Sequence, residues 1–422
     1  MDEVLIAGGG IGGLATALAV LRAGKRPLVL ERAAEQAVVG SGLSLWPNAI
    51  RALDALGVGA AVRARAVSDA SGGIRDAAGR PLLRVDAAVL RARFGEPIVV
   101  HRAELMAILR DALPAGVVRT GVGVTAADES GRVVTTEGER AAELVVGADG
   151  IRSVVRRAVA GEVEPRYAGY TAWRTVVTPA VPVAEFGESW GHGQRFGFAP
   201  LAGGRVYCFA TANAPAAANA PGAANAPGAA NAPGAANVVG ATNVPTPALG
   251  AAPGTPESRG DASTLPVDGE LAELERRFAD WHDPIPALLA AADPAAVLRH
   301  DIYDLPALPR FTAGRIALVG DAAHAMTPDL GQGACQALED AVTLGALLAA
   351  DGDLHRYDAL RRPRTQRIAA RARHMGRAGQ LSAGPLVALR DAVLRHTPAR
   401  AQLNAMASML EWSPEEATAA VV

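Results

Sequence analysis

Residues 4–13 read Val4-Leu5-Ile6-Ala7-Gly8-Gly9-Gly10-Ile11-Gly12-Gly13. The four apolar residues suit a strand buried on both faces of a parallel sheet. The glycines follow the pattern G-x-G-x-x-G. Gly8 serves a tight turn, Gly10 lets a pyrophosphate approach the backbone, and Gly13, beside Gly12, allows close packing of helix on strand. Leu14 to Ala23 is rich in Ala and Leu and reads as a helix ended by Gly24, and Pro27-Leu28-Val29-Leu30 reads as the next strand. The start of that helix offers free N–H groups and the positive end of a dipole to phosphates. Glu31 closes the second strand, near the spacing of a carboxylate that grips a ribose 2′-OH. Arg32 next to it lies either on an adenine or in solvent. This is a βαβ unit opening a doubly wound sheet, and it implies a bound dinucleotide, FAD or NAD.

A second stretch decides between the two. Gly314 to Ala323, Gly-Arg-Ile-Ala-Leu-Val-Gly-Asp-Ala-Ala, is another buried strand. It delivers Asp321 to the carboxyl edge of the sheet, where ligands of such sheets bind. A carboxylate there accepts hydrogen bonds from a polyol. The ribityl chain of riboflavin is a polyol and NAD has none, so the nucleotide is read as FAD. Pro328-Asp329-Leu330-Gly331-Gln332-Gly333 leads into a helix expected from about Gly333 to Leu348. Glycines at that start let the backbone lie flush against a flat ring. The dipole favours the negative charge that gathers at the flavin N1/O2 edge on reduction. A third strand, in Glu143 to Arg152, ends in Asp149-Gly150. Asp149 either caps the next helix or lies near the pyrophosphate.

The chain has 422 residues, half of them apolar and a fifth charged, a folded protein too long for one core. Two interleaved domains are expected. Residues 1–70, 101–160 and 300–350 form a discontinuous FAD-binding domain. Residues 71–100 and 161–299, with more alternation and turn glycines, form a β-rich substrate domain. Residues 351–422 form a C-terminal helical region. Residues 213–264 are low in complexity: Asn-Ala-Pro-Gly-Ala-Ala occurs three times from Asn219 to Ala236, with no charged side chain between Thr211 and Pro256. A segment whose apolar content is nearly all Ala buries too little to offset its ordering entropy, so a disordered insert is expected.

A net charge of -2 gives no global basic field for nucleic acid or an anionic membrane. No apolar run is long enough for a membrane span, and the Met-Asp-Glu start lacks a basic n-region, so a cytoplasmic protein is expected. Cys208 and Cys335 are too few for a disulfide framework. No spacing of His or Cys suggests a metal.

These motifs, with His101-Arg102-Ala103-Glu104-Leu105 and Ser44-Leu45-Trp46-Pro47-Asn48, resemble the single-component FAD-dependent monooxygenases of the p-hydroxybenzoate hydroxylase fold. The likeness is to the branch of urate, salicylate and 3-hydroxybenzoate hydroxylases and zeaxanthin epoxidase, and covers nearly all of the chain outside the insert. It implies an α/β fold: a doubly wound, Rossmann-like FAD-binding domain, an interleaved antiparallel substrate sheet and C-terminal helices. It also implies Arg102 at the FAD phosphates or ribityl chain, Ser44 near the flavin, Val124 by the adenine and Asp321 on the ribityl chain. Gly331, Gln332 and Gly333 would line the pyrimidine edge, with Pro328 against the ring above the reaction site. NADH or NADPH would visit transiently to reduce the flavin. Oxygen would then add to give a C4a-hydroperoxide that attacks an electron-rich carbon of a small aromatic or heterocyclic substrate. A monomer or homodimer is expected.

The substrate side is thinner. By the two-residue period, Arg205 and Tyr207 share one face of a strand. The run Pro200 to Tyr207, with Arg166-Tyr167-Ala168-Gly169-Tyr170, looks like the urate hydroxylases, in which the matching Arg works beside the substrate; Trp173-Arg174 is more like the other members of the branch. Arg205 is thus a catalytic candidate or a strand-end surface residue, and Tyr207 a pocket or a core residue. An Arg facing the flavin favours an anionic, enolate or phenolate substrate. His324 reads as a structural hydrogen bond and His192 as an exposed turn residue. Epoxidation, Baeyer–Villiger insertion, and a reductase or oxidase of the same fold stay open as alternatives.

Overall fold

The computed structural model describes residues 3–35, 41–68, 72–183, 185–215 and 267–421. The expected insert lies, from residue 216 onward, outside the described residues. The first βαβ unit forms as its pattern dictates: strand Glu3–Ala7, helix Ile11–Arg22, strand Arg26–Glu31, with Gly24 at φ +75° closing the helix. These strands belong to a six-stranded sheet in the order Thr312–Ala313, Ile316–Leu318, Leu144–Gly147, Glu3–Ala7, Arg26–Glu31, Val118–Thr120. All its pairings are parallel except that of the edge strand Thr312–Ala313. Helix Ile11–Arg22 and helix Gly333–Ala349 pack together on this sheet, Gly345 giving the room that lets the second lie against Ala19.

The second large sheet has seven strands, in the order Leu298–Asp304, Arg166–Val177, Val206–Asn213, Gln194–Pro200, Gly187–Trp190, Gly72–Asp76, Pro81–Val85. It is antiparallel apart from the pairing of Gly187–Trp190 with Gly72–Asp76. Its edge strand runs to Asp304, past the boundary expected at residue 300. Strand Ile98–His101, expected in the substrate domain, pairs instead with Gly42–Leu45 in a small separate sheet.

The period of two sorts the faces of the seven-stranded sheet. Trp173, Val177, Phe196, Phe198, Val206, Cys208 and Ala210 form one apolar face, closed by helices Val267–Phe278 and Ile285–Ala290 through Leu274, Phe278, Ile285 and Leu288. The other face carries Arg174, Glu188 and Arg195 and meets Gly42 through Tyr207. The C-terminal region is helical, as expected, with helices Leu354–Gly379, Gly384–His396, Ala399–Leu410 and Pro414–Val421. Among the described residues no helix is long and apolar enough to cross a membrane.

Candidate active site

The site begins at the glycine turn. Gly8 sits at φ +104°, and a Cβ there would lie 2.4 Å from the Ala148 carbonyl oxygen. At Gly13 a Cβ would lie 1.9 Å from the Gly8 carbonyl oxygen, so only glycine lets the helix lie this close to the strand. Gly10, the N-cap, faces open space: a Cβ there would meet nothing within 4 Å. Gly12 instead backs onto Ala337 of the long helix. Glu31 accepts hydrogen bonds from the Gly9 N–H at 2.7 Å and the Ala33 N–H at 2.9 Å, which fixes its carboxylate at the lip of the turn. Arg32 lies along Gly123, next to Val124, so Glu31, Arg32 and Val124 gather at one end of the crevice.

Asp149 accepts from Ser153 Oγ at 2.5 Å and from the Val154 and Val155 N–H groups at the start of helix Val155–Ala160. Burial raises its pKa, with these hydrogen bonds opposing. Ser44 lies on the strand paired with Ile98–His101, and the neighbouring Ser41 carbonyl accepts from the Arg102 N–H at 2.9 Å. Burial lowers Arg102 to about 10, Asp321 opposing and Arg174 adding to the drop. Asp321 is pushed up to about 6 by burial, with His324 and Arg102 opposing. Arg102 from one domain segment and Asp321 from another therefore lie within electrostatic reach of each other.

The loop after Asp321 makes a short turn, Pro328–Leu330, then Gly331 at φ +62°. Gly331 lies under Trp46, and a Cβ at Gly333, the first residue of the long helix, would meet nothing within 4 Å. Gln332 is fully buried and turns its side chain inward, where its Oε1 accepts from Asn48 at 3.1 Å and from Gln336 at 3.0 Å. Open space thus faces two helix starts, Gly10 and Gly333, with Arg102 and Asp321 in the same crevice. The donor set suits FAD: N–H groups and an arginine for a pyrophosphate, a carboxylate for a polyol, and a side-chain-free helix start for a ring edge.

Strand Val206–Asn213 starts after the turn made by Gly203 and Gly204, so Arg205 lies outside it. Arg205 is partly exposed, donates to the Ala202 carbonyl at 3.0 Å and pairs with Glu104 at 2.8 Å. Tyr207 is 8 % exposed and packs with Val99, Ala199 and Leu201, its ring over Gly42: the core reading.

Two arginines lie on this sheet face, each 4 % exposed: Arg174, which bonds Tyr207, and Arg195. Arg195 Nη2 donates to Asp329 Oδ1 at 2.5 Å, and its Nη1 lies 3.4 Å from Glu188 Oε1. Tyr170 donates its hydroxyl to Asp329 Oδ2 at 2.8 Å. Against the penalty of burial, Asp329 and Glu188 hold Arg195 above its usual range. Burial raises Glu188, and burial followed by Asp329 raises Tyr170 well above its ordinary value. The long C-terminal helix presents Gly376 to Asp329 and Gly379 to Arg195, so this cluster joins sheet, loop and helix. His324 is buried with Nε2 2.5 Å from Asp340, and exposed His192 contacts the Ser382 carbonyl, both as read from sequence. Among the described residues no group of side chains could hold a metal ion.

Comparison with known proteins agrees with this geometry. The family model described as FAD binding domain matches residues 1–205 and 306–372. The chain is 35 % identical over 388 residues to the aurachin C monooxygenase/isomerase of Stigmatella aurantiaca, 89 % of each chain being covered. It is 33 % identical over 386 residues to the FAD-dependent urate hydroxylase of Klebsiella pneumoniae, 88 % of each being covered. The solved structure of Klebsiella pneumoniae HpxO complexed with FAD and uric acid superposes with a TM-score of 0.80 at 28 % identity, covering 98 % of this chain and 97 % of that one. The chain belongs to the FAD-dependent monooxygenases of the p-hydroxybenzoate hydroxylase fold, which draw their electrons from NAD(P)H.

Proposed function

We propose that this monooxygenase hydroxylates a small, uncharged heterocycle or phenol that carries an N–H or O–H group, in the cleft between the Pro328–Gly333 loop and the polar face of the seven-stranded sheet. The observation that carries this reading is the Arg195–Asp329 pair at 2.5 Å. Arg195 is already engaged by two carboxylates, so Arg195 itself offers an anionic substrate little, which departs from the expectation of an anion at that arginine. A donor group on the substrate instead finds acidic neighbours, and loss of a proton to that network would make the ring more electron-rich. FAD, once bound, supplies the oxygen chemistry. The chain's own residues bind and orient it. Gly10 receives the pyrophosphate on the turn that Gly8 makes and that Gly12 and Gly13 hold against helix and strand, and Glu31, Arg32 and Val124 take the adenosine end. Arg102 and Asp321 take the ribityl region, Ser44 borders the flavin, and Gly331, Gln332 and Gly333 form the ring edge, with Pro328 and Trp46 over it. Asp149 supports the turn through its bonds at the start of the neighbouring helix.

Relatives that act on urate and on aurachin C fit a site for electron-rich rings. The two buried free cysteines fit a cytoplasmic setting, and a monomer or homodimer would be sized by gel filtration. Purified yellow protein tested for NAD(P)H oxidation with urate, other purines, phenolic acids and aurachin C decides the substrate class. A neutral ring compound that accelerates flavin reduction and gains one oxygen by mass is the expected outcome. Acceleration only by carboxylate-bearing compounds would overturn the proposed preference.

A further inference from the structure

Beneath the ring-edge helix lies a buried ionic lattice. Glu339 and Asp340, both fully buried on helix Gly333–Ala349, are each bonded by Arg361 of the long C-terminal helix. Arg361 Nη1 donates to Glu339 Oε2 at 2.6 Å, and Arg361 Nε to Asp340 Oδ1 at 2.7 Å. Arg364, one helical turn on, donates to both oxygens of Glu339 at 2.7 and 2.9 Å and to the Ser408 and Met409 carbonyls. On the flavin side, Asp340 Oδ2 accepts from the Gly320 N–H at 2.9 Å and lies 2.5 Å from His324 Nε2. Glu339 Oε1 accepts from Asn48 at 2.7 Å and Gln336 at 2.9 Å, and these same two side chains hold Gln332. One pair of adjacent carboxylates therefore fixes both turns that flank the flavin site, the Gly320–Asp321 turn and the Gln332–Gly333 helix start.

The lattice sets two carboxylates, Glu339 and Asp340, against the guanidinium groups of Arg361 and Arg364 and, at Asp340, the His324 ring. Burial works against both carboxylates, yet Arg361 and Arg364 keep Glu339 below its usual range, while His324 and Arg361 hold Asp340 at about 2. Both acids are ionised at neutral pH. Charge in a dry interior is weakly screened, so an unbalanced charge here is felt at the start of the helix. That start is where reduced flavin gathers its negative charge.

We propose that Glu339, Asp340 and Arg361 are positioning residues whose charge balance sets the reduction potential of the FAD bound at the Gly333 helix start. The proposal rests on the FAD site described above and not on the identity of the substrate. Its test is the two-electron potential of the holoenzyme, measured by dye equilibration. Glu339→Gln removes a negative charge and is expected to raise the potential; Arg361→Met removes a positive charge and is expected to lower it. Arg361→Lys restores the charge and is expected to return the potential toward wild type. FAD affinity, followed by quenching of flavin fluorescence, is expected to fall in both charge-removing variants. A lattice that only held the fold would shift both potentials in the same direction, or neither, and that result would overturn the proposal. Should Glu339→Gln or Arg361→Met fail to fold, Arg364→Met, at a less buried position of the same lattice, and Arg361→Lys carry the comparison. Arg364→Met must then lower the potential and Arg361→Lys must not. Failure of these shifts while FAD still binds and the enzyme still turns over would leave the site reading intact and sink only the charge-balance proposal.

Discussion

Asp321 is a carboxylate held where its charge is costly. Burial moves it from 3.8 to about 6, and Arg102 and His324 only partly compensate. Below that window the side chain is neutral in both folded and unfolded chains. As pH rises through it, the fold must ionise a group that the unfolded chain ionises more easily, so stability falls, and the loss is complete above about pH 6. FAD-free Asp321→Asn protein is therefore expected to melt above FAD-free wild type near neutral pH and level with it at the acid end of the window. Equal melting temperatures throughout would show that Asp321 is not strained. The same variant gives up a charged hydrogen-bond acceptor, worth about 1.5–3 kcal/mol, so FAD affinity should drop roughly 10- to 100-fold. The two arginines near the substrate side are separated in the same way. Arg195→Gln leaves Asp329 and Glu188 buried without their cation and should cost about 3–5 kcal/mol in urea unfolding, with hydroxylation lost. Arg205→Ala opens a partly exposed pair with Glu104 and should cost below about 1 kcal/mol. Lost hydroxylation in Arg205→Ala protein with full FAD content would return Arg205 to the site.

At the level of elements, the long helix Leu354–Gly379 bears on the chemistry through two missing side chains. A Cβ at position 376 would lie 2.4 Å from Asp329 Oδ2, and one at position 379 would lie 2.9 Å from Arg195 Cδ. Gly376→Ala should cost about 1–3 kcal/mol of overpacking, and the strain falls on the Asp329 loop while the Gly8–Gly13 turn is untouched. Turnover is expected to fall while FAD content stays near wild type; a parallel loss of both would mean that the helix supports the whole flavin site. None of this was legible in the chain. The glycine turn was, because much of its reason is local: Gly8 turns at a positive φ and Gly13 meets the Gly8 carbonyl in the same short stretch, although Gly8 also meets Ala148, at the end of a strand distant in sequence. Asp321 and the Gly331–Gly333 start were legible because a strand, a turn and a helix follow one another in sequence. Arg195 gave no such sign. Its partner Asp329 is 134 residues on, Tyr170 reaches the same carboxylate across 159 residues, and the supporting glycines come from a helix that read only as an Arg-rich face. Arg205 stood out because the Pro200 to Tyr207 run resembles the urate hydroxylases; the two-residue period that joined it to Tyr207 does not reach it, since the strand begins at Val206.

On the scale of the whole molecule, the chain is firmly tied to the seven-stranded sheet both before residue 216 and after residue 266. On the first side, Asn213 donates to the Gln380 carbonyl at 3.0 Å and Tyr167 donates to the Ala214 carbonyl at 2.9 Å. On the second, Glu270 accepts from Trp173 Nε1 at 2.6 Å and lies 3.3 Å from Arg299. These ties hold strand Val206–Asn213 and helix Val267–Phe278 to the same sheet. The repeat's composition, nearly all Ala in its apolar part, gives it little to contribute to a core. Closing a loop costs only about 0.6 kcal/mol for each doubling of its length, so a shorter connection should be neutral or slightly stabilising. Replacing residues 216–260 with a Gly/Ser linker of roughly a dozen residues is expected to leave FAD content and turnover unchanged and the melting temperature equal or higher. A protein that loses FAD or melts well below wild type would show that the repeat packs against the enzyme, and the charge-free composition would then need a reading as a binding surface rather than as a spacer.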